Sequence, residues 1–162
     1  MRVLFWVVFI GLCINTGALL LSTLVSLFTS SASRLPGGLD LSALYQYDTR
    51  LYIPYVSLVI ALSALKAYMA YLMIKIVTRF DLDRPFNTEV ALLVTRIGHV
   101  ALEAAVLALL ITSYGKWVQH RGVELQPLDG TGEWLFLAGV IFTIAHVFRR
   151  GVEFQAENDL TV

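Results

Sequence analysis

Three side chains that can carry charge or a proton recur along one apolar stretch. They are Arg96, His99 and Glu103, spaced three and four residues apart. That spacing puts them on one face of a helix. Lys66 stands in the middle of a second apolar stretch and Asn15 in the middle of a third. An isolated charge at a bilayer centre costs about 2.5–3.5 kcal/mol on insertion scales. A lysine and a carboxylate at matching depth would offset that cost. Counting a rise of about 1.5 Å per residue from the inner end of each stretch puts Asn15, Lys66 and Glu103 all roughly 18–20 Å up. The expectation is an interior polar cluster of Asn15, Lys66, His99 and Glu103. It would hold a Lys66–Glu103 ion pair, with His99 one turn below Glu103 and hydrogen-bonded to it. The plain role for such a cluster is to fix which helices pack together. The sharper roles are ligand or ion sensing, or a proton-linked switch built on His99.

Other chemistry finds little support. His99 and His146 come out at depths of about 13 Å and about 5 Å, too far apart in level for two axial haem ligands. No third ligand stands near them for a closed zinc site. Cys13 is the only cysteine, so no intrachain disulfide can form, and it reads as a small packing residue. No nucleophile motif, phosphate loop or paired-carboxylate site occurs. With formal net charge zero, direct nucleic-acid binding has no electrostatic support. The chain is expected to be non-enzymatic, with no cofactor and no metal.

The elements that must position these residues are membrane spans. The chain has 162 residues, of which 57% are hydrophobic and 15% charged, and the apolar residues fall in long blocks. A bilayer core of roughly 30 Å needs about 20 mostly apolar residues per helix. Four blocks qualify or come close, about 3–28, 53–78, 90–113 and 134–149. Between them lie outer loops 29–52 and 114–133 and an inner loop 79–89, and a tail runs over 150–162. The expected fold is an all-α membrane protein, a single domain forming a four-transmembrane-helix bundle. The fourth block is short, so its helix should run on into a flanking segment. The first block exceeds the apolar run of about 7–15 residues in a cleaved signal, so it reads as a retained anchor.

Basic residues orient the bundle. Arg2, Lys75, Arg79, Arg84, Arg96, Arg149 and Arg150 gather at one side, against Arg34, Arg50, Lys116 and Arg121 at the other. Lys and Arg accumulate on the cytoplasmic side. Both termini are therefore expected in the cytoplasm, with the protein multi-pass in the bacterial inner membrane.

Smaller patterns add detail. Gly11, Asn15, Ala18 and Ser22 share a face, which reads as a packing seam between helices. Gly139, Thr143 and His146 repeat that pattern in the fourth span. The first outer loop carries a Pro-Gly-Gly turn and then a possible short helix. Tyr45, Tyr47, Tyr52, Tyr55, Tyr114, Trp117 and Trp134 gather near the outer boundary. They read first as a headgroup-level aromatic belt, and second as an outward pocket or partner surface.

The inner loop reads "FDLDRPFNTE". Asp83 and Asn87 suit helix starts, Pro85 suits a first turn, and Glu89 complements the positive end of span three. In the tail, Phe148, Val152, Ala156 and Leu160 recur every four residues, a weak apolar stripe on a helix running past the membrane. Arg149 and Glu153 form an i,i+4 pair worth tenths of a kcal/mol. Leu160 and Val162 either fold back under the inner loop near Phe80 and Phe86, or offer a partner a short recognition segment.

Two segments carry a resemblance. One is Arg84, Pro85, Phe86 and Asn87. The other is Phe148, Gly151, Gln155, Glu157, Asp159, Leu160, Thr161 and Val162. Together they resemble the bacterial membrane family known as domain of unknown function 2975. Arg84 replaces the commoner Asn, and Asn87 the commoner Ser. Members of that family resemble partners of small cytoplasmic helix-turn-helix regulators. The resemblance implies membrane-linked signalling or regulator tethering, with the bilayer and such a regulator as partners. Two other roles fit the residues: an accessory subunit of a larger membrane complex, or a transporter component with Lys66, His99 and Glu103 on its path. A homo-oligomer fits any of these.

Overall fold

The computed structural model describes residues 2–29, 41–79, 88–125 and 131–159. Among them there are only helices: α1 (Arg2–Thr29), α2 (Ser42–Tyr47), α3 (Thr49–Arg79), α4 (Thr88–Gln119) and α5 (Thr131–Asp159). α1, α3, α4 and α5 are each long and apolar enough to cross a membrane. The protein is an all-α, multi-pass membrane protein.

Local chemistry sets the helix ends. Asp48 starts α3 by accepting from the backbone N–H of Leu51 and Tyr52 at its carbonyl. Its side chain takes the N–H of Arg50 at 2.8 Å, so the donors left over at a helix start are satisfied. Pro54 follows in the second turn, where it removes the intrahelical hydrogen bond that would reach the Arg50 carbonyl. α4 ends in a turn closed by Gly122, whose φ of 87° is one that side-chain-bearing residues rarely adopt. Within the spans, Thr16, Thr23, Ser26, Thr78, Thr95, Thr112 and Thr143 donate their hydroxyls to the carbonyl four residues back. No water is needed to satisfy them, as lipid requires.

The long helices pack in chain order, α1 on α3, α3 on α4 and α4 on α5. Phe9 of α1 meets Tyr71 near the end of α3, and Tyr55 near the start of α3 meets Tyr114 near the end of α4. Neighbours therefore run antiparallel. The larger core lies at the end of the molecule carrying α2. There Leu44, Tyr52, Tyr55, Val56, Ile111 and Val118 are fully buried. A smaller cluster of Leu72, Ile97 and Val100 holds the other half of the α3–α4 contact. α5 meets α4 through Ala101, Ala105 and Ala138.

Two expectations need correcting. Of the seam assigned to Gly11, Asn15, Ala18 and Ser22, only Ala18 and Ser22 are half-buried. Gly11 and Asn15 are exposed, and a Cβ added at Gly11 would meet nothing within 4 Å. α1 instead turns Phe9, Leu12, Thr16, Leu19, Thr23 and Ser26 inward. In the fourth span Gly139, Thr143 and His146 are likewise exposed. The close small-residue contact is on α4, where Gly98 faces Phe142 and Ala145. The tyrosines also divide. Tyr52 and Tyr55 are 2% and 1% exposed and belong to the core, Tyr52 against Tyr45 of α2 and Tyr55 against Tyr114 and Gly115 of α4. Tyr47 and Trp117 remain outside, as a belt requires. The Trp134 side chain lies outside the described residues.

Candidate functional site

Two hollows on α4 hold Arg96, His99, Glu103, Arg149, Val152 and Glu153 of the residues singled out above. The first lies at the end where α1 begins and α5 finishes. The start of α4 supplies Thr88, Ala91, Leu92 and Thr95, and α5 supplies Arg149, Val152 and Glu153. The hollow is about 340 Å³, mostly apolar, with Arg149 and Glu153 at its rim. It forms because α5 stays helical to Asp159. Val152 sits one turn beyond Phe148, and the same face that packs in the bilayer carries past it.

Charges brace this end. Arg79, at the finish of α3, is ion-paired with Glu89 in the first turn of α4, across the point where the inner loop leaves and returns. Glu89 also sits where the helix dipole favours a carboxylate. Both partners are about half exposed, so the pair contributes only tenths of a kcal/mol to about 1 kcal/mol. On α5 the pair that forms is Arg150–Glu153 at 3.4 Å, not Arg149–Glu153. Spacings of three and four both bring helix neighbours together, and here Arg149 lies along the hollow instead.

The loop residues Arg84, Pro85, Phe86 and Asn87 lie outside the described residues, as do Phe80, Asp83, Leu160, Thr161 and Val162. Gln155, Ala156, Glu157 and Asp159 fall within the α5 helix, but their side chains are also outside the described residues. The fold-back expected of Leu160 and Val162 lies outside them too. Phe148 and Gly151 are half-buried, on the turns of α5 leading to the hollow.

The second hollow, about 430 Å³, runs along the outside of α3 and α4. Tyr68 forms one wall, and Thr95, Arg96, His99, Val100 and Glu103 the other. Leu92 and Thr95 line both hollows. Arg96, His99 and Glu103 do share one face. That face points outward, and all three are exposed.

The interior polar cluster is therefore not assembled. Tyr55 opposes Tyr114, and eleven residues onward along each antiparallel helix stand Lys66 and Glu103, so the two are level. Phe9 opposes Tyr71, which brings Asn15 to the level of Leu65. Tyr68, and not Lys66, lines the groove that holds Glu103. Among the described residues no Lys66–Glu103 ion pair forms within 4.0 Å. Asn15 is on the exposed side of α1. His99 does not bond to Glu103; its Nδ1–H donates to the Thr95 carbonyl at 2.9 Å. Helical side chains lean toward the N-terminus, which carries the ring toward Thr95 and away from Glu103. Its ring also meets Phe142 of α5 edge-on, with centroids 6.3 Å apart.

Sequence reasoning missed the hollow at the α4–α5 end. Its signal was available in the apolar spacing that runs from Phe148 to Val152 across the end of the span. Among the described residues, no three His, Cys, Asp or Glu side chains gather as a metal site would need.

Comparison with known proteins gives one match. Residues 37–162 fit the family described as "Protein of unknown function (DUF2975)". No curated protein and no solved structure matches the chain.

Proposed function

The chain belongs to the DUF2975 family, and from that premise we propose that it is a non-enzymatic membrane protein that tethers a small helix-turn-helix regulator. One observation carries this reading. The hollow of Thr88, Ala91, Leu92, Arg149 and Val152 is lined by the first turns of α4, which follow one signature-bearing segment in the chain, and by the turns of α5 just after Phe148, where the other starts. An apolar floor with charged rims suits an amphipathic segment of a partner. Basic residues favour this end as the cytoplasmic one. Lys75, Arg79, Arg149 and Arg150 stand here, against Arg50, Lys116 and Arg121 at the far end. In this reading the protein is in the bacterial inner membrane with both termini inside.

α3 gives the tether something to report. It starts among Tyr52 and Tyr55 under α2 and ends at Arg79, which grips the start of α4. A shift of α2 at the outer end would move α3 against α4 and reshape the hollow.

The test is affinity isolation of the chain from native membranes, read for a small helix-turn-helix protein. It should copurify with the full chain and be lost with Val152→Asp and with Glu153→Arg, at unchanged membrane levels of the variants. Equal recovery with all three chains, or with none, would sink the tether. A chain cut after Arg150 is a poorer probe, since it removes a wall of the hollow and part of α5 together.

The outward placement of Arg96 and Glu103 favours a second reading, an accessory subunit held through its membrane faces. In that case copurification would not depend on Val152.

A further inference from the structure

The α4 groove has a property that regulator tethering does not use. Arg96 and Glu103 are exposed on a membrane-crossing helix and, among the described residues, neither has an ion-pair partner. Tyr114, beside the exposed Trp117, marks the outer boundary, and Glu103 stands eleven residues below it. That is about 16 Å, near the middle of a hydrocarbon core of about 30 Å. Lipid covers the apolar faces of α1 and α5 without cost. It cannot satisfy a carboxylate there, and Asn15 on α1 poses only the smaller problem of a neutral amide.

We infer that the outward face of α4 is the contact between two copies of this chain, which pack their α4 helices side by side in parallel and complete each other's polar groove. The first argument is spacing. Leu92, Arg96, His99, Glu103, Val106 and Leu110 are all exposed and alternate by four and three, which is the seam of a left-handed helix pair. The second is charge. Each copy brings one cation and one anion to the seam, so the pair is balanced. In such packing each knob falls among residues one turn above and below on its neighbour. His99 of one copy then lies between Arg96 and Glu103 of the other, with Nε2 left for them because Nδ1 already serves Thr95. The contact shares only Leu92 with the tether's hollow, and its test reads neither regulator nor tail.

Cysteine crosslinking of the full chain in native membranes decides it, in a Cys13→Ala background. Val106→Cys and Leu110→Cys lie on the seam, while Leu102→Cys and Leu109→Cys are equally exposed but off it. A band of twice the chain mass should form at the first two positions and not at the second two. Added to Val106→Cys, Glu103→Lys should lower that band about tenfold or more, by placing like charges together. The exchange of Arg96→Glu with Glu103→Arg should restore most of it. Equal bands at all four positions, none at any, or a band of another mass at the seam would each overturn the proposal. Should Glu103→Lys fail to insert, the four cysteine positions still decide.

Discussion

Two faces of α4 alternate along the same ten residues, 96–105, and meet opposite surroundings. One face carries Gly98, Ala101 and Ala105 and is buried against α5. The other carries Arg96, His99 and Glu103 and is exposed beside Tyr68. The first has no polar side chain and packs small residues against α5. The second carries charge, with only the rings of Tyr68 and Phe142 beside it among the described residues. In lipid, burial of apolar groups gives little drive for helices to associate, so close contact between small residues does that work. The comparison teaches that the monomer is held by where α4 is smallest, and that its most polar residues lie outside the contacts that hold it.

The sharpest way to break the contrast is at Gly98. A Cβ there would lie 3.6 Å from Phe142 Cδ2 and 3.9 Å from the Ala145 Cβ, which is ordinary contact. Gly98→Ala should therefore be tolerated. Gly98→Leu should push α5 away, with an overpacking cost of about 1–3 kcal/mol. Thermal unfolding in detergent, followed by circular dichroism, should show a clear fall in midpoint for the leucine variant alone. An unchanged midpoint for Gly98→Leu would mean that α4 and α5 do not approach as described.

A middle-sized effect is expected at the outer end of α4. The Tyr114 hydroxyl donates to the Leu51 carbonyl at 3.2 Å, and its ring lies between Tyr55 and Trp117. Tyr114→Phe keeps the ring contacts and removes the hydrogen bond, worth about 0.5–1.5 kcal/mol. The same melt should show a smaller fall than for Gly98→Leu. A fall as large would mean that the hydroxyl holds the α3–α4 contact more than the rings do.

The two faces also show what a sequence can and cannot reveal in a membrane protein. The spans were legible, because a run of some twenty apolar residues has few other uses. Blocks read as 3–28, 53–78, 90–113 and 134–149 correspond to helices Arg2–Thr29, Thr49–Arg79, Thr88–Gln119 and Thr131–Asp159. Depth could be counted from helix rise, and Lys66 and Glu103 are indeed level. Rotation could not be read. A spacing of three and four says that Arg96, His99 and Glu103 share a face, not where that face points. In water the polar face of a helix points out by default. In lipid that rule is lost, and the expectation that charge turns inward rested on the energetic cost alone. The same gap misassigned Gly11 and Asn15, which looked like part of a seam and are exposed. Tyr52 and Tyr55 were misread for another reason. Their burial depends on α2 beside Tyr52 and α4 beside Tyr55, tertiary contacts that composition near the boundary does not record.

The smallest effect on the monomer is expected where the sequence looks most provocative. Glu103 is exposed and touches no partner among the described residues. Glu103→Leu should then shift monomer stability in detergent by no more than about 0.5 kcal/mol, the range of surface changes away from special features. The midpoint should match the parent chain while that of Gly98→Leu falls. Insertion should respond in the opposite sense. Removing a charge from mid-span relieves about 2.5–3.5 kcal/mol on insertion scales, so α4 alone should insert more readily with leucine at 103. The two readouts must diverge if the charge faces outward. An interior Glu103 would couple them, because its loss would strip a buried partner of its counter-charge and lower the melt. A midpoint for Glu103→Leu as low as that for Gly98→Leu would therefore place the polar stripe inside the bundle and erase the distinction between the two faces of α4.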